Sequence, residues 1–472
     1  MGTWRIGATA AALGTVMILG GCAGDPEPSA TPAATSSGSP TSSAPLTSGG
    51  VQHSANARLV ANVPLSAPFD GEHAWGTDLA FQGNYVFTGN YEGFTIHDIS
   101  DPAKPKVVTR VVCPGGQNDI SVTGNLLFLS IDEPRSDNTC ESDHGDPFTG
   151  WEGIRIFDIS DKSHPRYVKS LATDCGSHTH TLVPGKDASK VYLYISSFGP
   201  DPSAPHCKPP HDSIGVVEVP VADPAQARVV AQPVLFHDGD DESQPGATSG
   251  CHDITVYPEK DLAAGACLGN GILMDISDRA HPKVLQQVTD TENFSIWHSA
   301  TFSNDASRVI FSDELGGGVA PTCDAKTGPL RGADAVYDIR PDHTLQRRGY
   351  FKIPRHQTAA ENCVAHNGSL LPVPGKTILV QAWYQGGVSV VDFTDPDHPK
   401  EIAFVDRGPL DSADGEPKLG GSWSAYYYNG YIYSSDITKG LDVIAIDDPL
   451  TDPAKTVKVN ELNAQTQVSY PE

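Results

Sequence analysis

One short pattern returns along the chain: a glycine, an alternating apolar strand, Asp-Ile-Ser-Asp or a close variant, and a proline soon after. It reads Gly93-Phe-Thr-Ile-His-Asp-Ile-Ser-Asp-Pro102, Gly153-Ile-Arg-Ile-Phe-Asp-Ile-Ser-Asp161, Gly271-Ile-Leu-Met-Asp-Ile-Ser-Asp278 and Gly387-Val-Ser-Val-Val-Asp-Phe-Thr-Asp-Pro396. Weaker copies at 215–224, 335–339 and 441–449 bring the count to seven. Before the copies come paired apolar runs joined by Gly-Asn or Asn-Gly, as in 78–87, 119–128 and 424–433, a strong hairpin signal. A fourth strand follows the turn, for example 105–112. Units of this kind, recurring at roughly 40–65 residues, cannot bury their faces alone and stack around an axis. The predicted fold is all-β: a seven-bladed β-propeller with four-stranded antiparallel blades. Arg58-Leu-Val-Ala-Asn-Val-Pro-Leu65 reads as a fourth strand without its predecessors. It is expected to complete the last blade and so close the ring.

These repeats, best matched by Gly-Val-Ser-Val-Val-Asp at 387–392, resemble the LVIVD-repeat β-propellers of bacterial surface proteins. The resemblance covers about residues 57–460, and the propeller domain is taken as 57–472. It implies a fold and says little of activity, because propellers carry many functions. The repeated Asp98, Asp158, Asp275, Asp338 and Asp392 are read as caps of the turn into the fourth strand.

The first residues concern address. Arg5 precedes an apolar run from Ile6 to Leu19, and small residues lead to Leu19-Gly20-Gly21-Cys22. Residues 1–21 read as a secretory signal. The Leu-Gly-Gly-Cys end resembles the lipobox of bacterial lipoproteins, which implies cleavage before Cys22 and a lipid on its sulfur. Residues 22–56, rich in Ala, Ser, Thr, Pro and Gly, read as a disordered tether. The expected location is extracytoplasmic, on the cell membrane through the lipid alone. Nine cysteines less Cys22 leave eight, an even number that suits disulfides in an exported chain. Nearest-in-sequence pairing is expected: Cys113–Cys140, Cys175–Cys207, Cys251–Cys267 and Cys323–Cys363. With 32 basic against 58 acidic residues the net charge is −26, which opposes nucleic acid as a partner. The domain is expected to be monomeric.

Chemistry is sparsely written. The longest insertions fall at 133–152, 198–214 and 316–334, with others at 237–250 and 408–421, all on one face by the blade register. The acidic run at 237–242 lacks EF-hand spacing and reads as a solvated loop. At the start of the innermost strands the aligned residues are Thr77, Asn118, His180, His252, His298, His366 and Trp423. Equivalent positions form a ring at the channel mouth, and Asp132, Glu133, Asp313, Glu314 and Asp436 end the second strands at that same mouth. Imidazoles converging with carboxylates suit Fe, Cu, Zn or Mn. By analogy, carotenoid-cleaving propellers hold iron on four axial histidines, but no motif of that family stands here. Two readings therefore remain open. One is a binding propeller that takes a protein or small ligand on its loop-rich face. The other is a metal-dependent oxidoreductase or hydrolase using His180, His252, His298 and His366 with Asp313 or Glu314. Histidines that bond a neighbouring blade's backbone as part of the repeat are the alternative to such a site, and a purely structural surface protein is a third reading.

Overall fold

In blades one, two, six and seven the glycine that opens the third strand answers to its neighbour strand. A Cβ at Gly93 would lie 1.9 Å from the Val111 carbonyl oxygen, and one at Gly153 2.0 Å from that of Leu171. Both glycines take positive φ (143° and 146°), so the outermost strand can pass close by only where the side chain is absent. The turn that follows is fixed by the repeated aspartate. Asp98, Asp158, Asp275 and Asp392 each accept from the backbone N–H two residues on, at 2.7–2.8 Å. Asp338 departs from the expected cap. The Arg340 N–H is taken by the Thr344 carbonyl, which frees Asp338 to accept from Arg308 (3.1 Å) and Arg348 (2.5 Å).

The structure, a computed structural model, describes residues 49–236, 248–411 and 418–471. Cys22, the signal, nearly all of the tether and the acidic run at 237–242 lie outside the described residues. Among the described residues the strands form seven antiparallel sheets, arranged as the seven blades of a propeller. Counting outward from the axis, the innermost strands are Gly76–Gln82, Ile120–Thr123, Thr179–Pro184, Asp253–Tyr257, Trp297–Phe302, Gly368–Leu370 and Ser422–Tyr428. Ala57–Val63 pairs with Gly440–Ile446 as the outermost strand of blade seven, so the ring closes as expected. It even reproduces the bulge that interrupts the outer pair in the other blades, here between Leu59 and Ala61.

Packing lies between blades. Phe87, Phe94 and Ile96 of blade one bury against Val122, Leu127 and Ile131 of blade two. At the closure, Leu79 and Phe81 pack on Tyr426, Tyr433 and Val443, and Phe81 stacks on Tyr428 at 4.7 Å. Each such fully buried aromatic contributes ~1.5–3 kcal/mol by area. The four disulfides form as paired above, consistent with an oxidising, extracytoplasmic compartment. Among the described residues no helix is long and apolar enough to cross a membrane.

Two elements have no counterpart in the repeat: Gln52–His53 pairs with the outermost strand of blade six, Lys400–Asp406, and a second short strand lies at the inner edge of blade one. Glu461–Asn463 adds to the inner edge of blade one, and the chain then crosses the turn-bearing underside of the channel. Asn463 exchanges two hydrogen bonds with the Val122 backbone (2.7 and 2.9 Å). Gln465 and Gln467 bond the Val256 backbone at 2.8 Å each. Tyr470 bonds Asn304 and joins the core beneath blades five and six. Residues 460–470 thus cover the base of the channel.

Candidate metal centre

The innermost strands carry their alternate side chains toward opposite neighbours, and recurrent hydroxyl bonds give the register. Thr179 donates to the His252 carbonyl (2.7 Å), Ser299 to that of His366 (3.5 Å) and Ser424 to that of Thr77 (3.3 Å). The residue before each hydroxyl is therefore equivalent to the acceptor in the next blade. The ring so defined runs Thr77, Asn118, His178, His252, His298, His366 and Trp423. In blade three the ring member is His178, two residues from the expected His180. His180 is buried against blade two instead, where Ser121 and Ser130 satisfy both of its nitrogens (2.6 and 2.8 Å).

The four imidazoles form a continuous row. His178 Nε2 lies 2.9 Å from His252 Nε2, the rings of His252 and His298 are 3.9 Å apart, and those of His298 and His366 4.2 Å. Three of the four have their Nδ1 occupied from behind. His178 donates to Asp132 (2.9 Å), His252 faces Asp253 (3.2 Å) and His366 donates to the Trp423 carbonyl. Such backing orients the rings as the backing of metal-ligating histidines does, and turns Nε2 into the row, where those of His178 and His252 meet each other and that of His366 faces Glu314. His298 differs. Its Nδ1 has no hydrogen-bond partner among the described residues, and its Nε2 is 3.9 Å from Glu314 Oε2, beyond hydrogen-bond reach.

Glu314 follows the second strand of blade five, Arg308–Asp313. It stands 3.6 Å from His366 Nε2 and accepts from the Tyr384 hydroxyl at 2.5 Å. Tyr384 holds a left-handed backbone (φ 52°), clamped by a pair of backbone bonds to Ser422 (2.9 and 3.1 Å). Strain of this kind persists only where the surroundings fix it. Gly318 of the 316–334 loop packs over the pair; a Cβ there would lie 2.3 Å from the Tyr384 hydroxyl. Asp313, the other expected acid, is committed to backbone. It accepts from the N–H groups of Ser295, Ile296 and Gly332 (2.9, 2.9 and 2.7 Å). Asp436 likewise caps the turn at Thr438 and Lys439.

Two sets have ligand atoms close enough to share an ion: His298 with Glu314 and His366, and His252 with Asp253 and His298. Burial keeps these imidazoles neutral: His366 is held down to about 3, while His252 and His298 lie well below the usual range. Burial also pushes Glu314 up to about 7, despite the opposing hydrogen bond from Tyr384. His178 goes the other way. Burial opposes its charge, yet the bond and charge of Asp132 prevail and raise it. Phe198 from the 198–214 loop stacks on His252 at 5.5 Å, and Trp423 packs edge-on to His366 at 5.1 Å.

Three disulfides brace this row from the sequence side. Cys175 lies three residues before His178, Cys251 one before His252 and Cys363 three before His366. The shared Cys-x-x-His spacing of Cys175-Gly-Ser-His178 and Cys363-Val-Ala-His366 is the sequence signal that assigns blade three to His178.

The fold and this row of histidines define a propeller with a buried imidazole cluster at its channel mouth. The LVIVD-repeat profile matches residues 76–112 and 149–173, in blades one and two. No curated protein matches the sequence. Among solved structures, hydrazine synthase of Kuenenia stuttgartiensis is similar at 11% identity and TM-score 0.52, over 81% of this chain and 98% of that one. The β-propeller domain of Myceliophteria thermophila Cps50 (Swd1) is similar at 9% identity and TM-score 0.49, over 79% and 96%. Identities this low speak for the fold alone.

Proposed function

We propose that this protein is an extracytoplasmic, lipid-anchored propeller that binds a divalent transition metal at its channel mouth, with His298, His366 and Glu314 as ligands and His252 beside them. Two histidines and one carboxylate suit Fe(II), and Mn or Zn by the same donor types. The observation that carries the reading is His298: a buried imidazole, flanked by two others, whose Nδ1 has no hydrogen-bond partner among the described residues and whose Nε2 stands 3.9 Å from Glu314 Oε2. Buried polar groups are otherwise satisfied in nearly every case. A bound ion would supply Lewis acidity or redox chemistry, and would leave coordination positions open. The chain itself orients Nε2 of His366 through the Trp423 carbonyl, holds Glu314 through Tyr384, and screens the row from water with Phe198 and Trp423.

Metal analysis of the purified chain tests this. About one equivalent of Fe, Mn or Zn is expected, lost in His298→Ala, His366→Ala and Glu314→Gln. His180→Gln and Asp313→Asn should retain the metal if they fold. A wild-type chain that holds no transition metal and takes up none of these ions would overturn the reading.

A further inference from the structure

His298 breaks the pattern of its row. The other three imidazoles are each backed at Nδ1, by Asp132, Asp253 and the Trp423 carbonyl, which leaves each one nitrogen to offer an ion. His298 has no such backing. Its Nδ1 is without a hydrogen-bond partner among the described residues, and its Nε2 stands 3.9 Å from Glu314. It is also the residue common to both sets of close ligand atoms, His298–Glu314–His366 and His252–Asp253–His298. An imidazole has two ring nitrogens, and either becomes a ligand once it carries no proton. Nε2 belongs to the Glu314 side, and Nδ1 remains for the other.

That other side is furnished in its own right. Asp253 is 1% exposed, and its Oδ2 has no hydrogen-bond partner among the described residues. The nearby Thr179 hydroxyl is given to the His252 carbonyl (2.7 Å). His252 is held between Asp253 (3.2 Å at Nδ1) and His178 (2.9 Å at Nε2), polar partners that an ion can replace. The ligand atoms of His252, Asp253 and His298 all lie within 4.8 Å of one another. Beside the row is a cavity of about 10 Å3 that touches His252, His298 and His366 together, room for one water-sized body. A buried carboxylate oxygen and a buried imidazole nitrogen left without partners each cost free energy. One cation satisfies both.

We propose that the centre is binuclear: His298 bridges two divalent transition ions as an imidazolate, one held with Glu314 and His366 and the other with His252 and Asp253. This rests on the metal-binding reading above and extends it. Two imidazole nitrogens and a carboxylate oxygen suit Cu²⁺ or Zn²⁺ as the second ion. As it binds, the Nδ1–H bond of His298 breaks, its electron pair forms the bond to the ion, and the proton leaves to solvent. No electron is transferred. The second ion is the weaker of the two, because it displaces that proton and meets the charge of the first across a single ring. The chain as purified therefore carries the first ion alone, and the second enters with excess metal.

The test is a titration of the metal-stripped full chain with Cu²⁺, the divalent first-row ion that such sites bind most tightly, followed by stoichiometry and electron paramagnetic resonance. The first equivalent should give the signal of an isolated Cu²⁺. The second should bind with release of a proton and abolish that signal, because two unpaired spins couple through a shared imidazolate. Asp253→Asn should stop at about one equivalent with the signal intact. Glu314→Gln should also take about one ion, held on the other side of the ring. A wild type that takes one ion and no more would overturn the bridge and leave the single centre standing. So would two ions whose signals merely add, as copper on exposed histidines would give. A wild type that takes no Cu²⁺ would overturn the bridge and the metal-binding reading together.

Discussion

His97, in the third strand of blade one, is 5% exposed, and its Nδ1 has no hydrogen-bond partner among the described residues. Burial and then the charge of Arg110 hold its pKa down to about 3, against ~6.5 in an unfolded chain. Between those values the unfolded chain binds a proton that the folded one refuses. Stability is therefore full above about pH 6.5 and falls as the pH drops toward 3. Urea midpoints measured from neutral to acid pH should decline in wild type, and more gently in His97→Leu. The ring imidazoles, lowered in the same direction, keep some slope in the variant. Equal slopes in the two proteins would refute the assignment. The same scale shows what single residues disclose. His252, His298 and His366 were legible because a strand start recurs once per blade, and Glu314 because the second strand ends at the same mouth. His178 was not. A strand repeats every two residues, so His178 and His180 look alike by that pattern; the Cys-x-x-His spacing shared with His366 and the hydroxyl-to-carbonyl bonds of neighbouring blades tell them apart. Asp313 and Glu314 are likewise adjacent in sequence, yet one meets three amides and the other an imidazole.

At the scale of elements, the loops that cover the row depend on their disulfides. Cys175–Cys207 joins the 198–214 loop, which carries Phe198, to the segment that leads into His178. Its closed loop spans 32 residues in sequence, for which chain-entropy arguments give about 3–4 kcal/mol. A Cys175→Ser/Cys207→Ser variant should unfold at a correspondingly lower denaturant concentration. Its Phe198 loop should also exchange amide hydrogens faster, while blade seven does not. Unchanged exchange in that loop would show that packing alone holds it. The blades themselves were legible as elements, since the glycine, the apolar strand and the capping aspartate each answer a backbone demand that returns in most blades. Residues 460–470 were not, because Glu461-Leu-Asn-Ala-Gln-Thr-Gln467 has no period and its partners are the inner strands of other blades. A chain shortened to end at Val459 should melt lower, and the inner-strand ends near Val122 and Val256 should lose exchange protection.

For the whole molecule, a net charge of −26 creates a field that gathers cations and repels polyanions. Attachment is argued from sequence alone, because Cys22 lies outside the described residues. If that cysteine is acylated, Cys22→Ala should move the protein from the membrane fraction to the soluble one with its fold intact. A variant that stays with the membrane would reject lipid anchoring through that sulfur.

The stretch laid across the underside has a consequence for traffic. A toroid stitched shut on one face is a cup and not a pipe. Whatever it carries must return over the rim by which it arrived, so capture and release share one doorway. A partner that sat upon that rim would imprison the cargo without touching it.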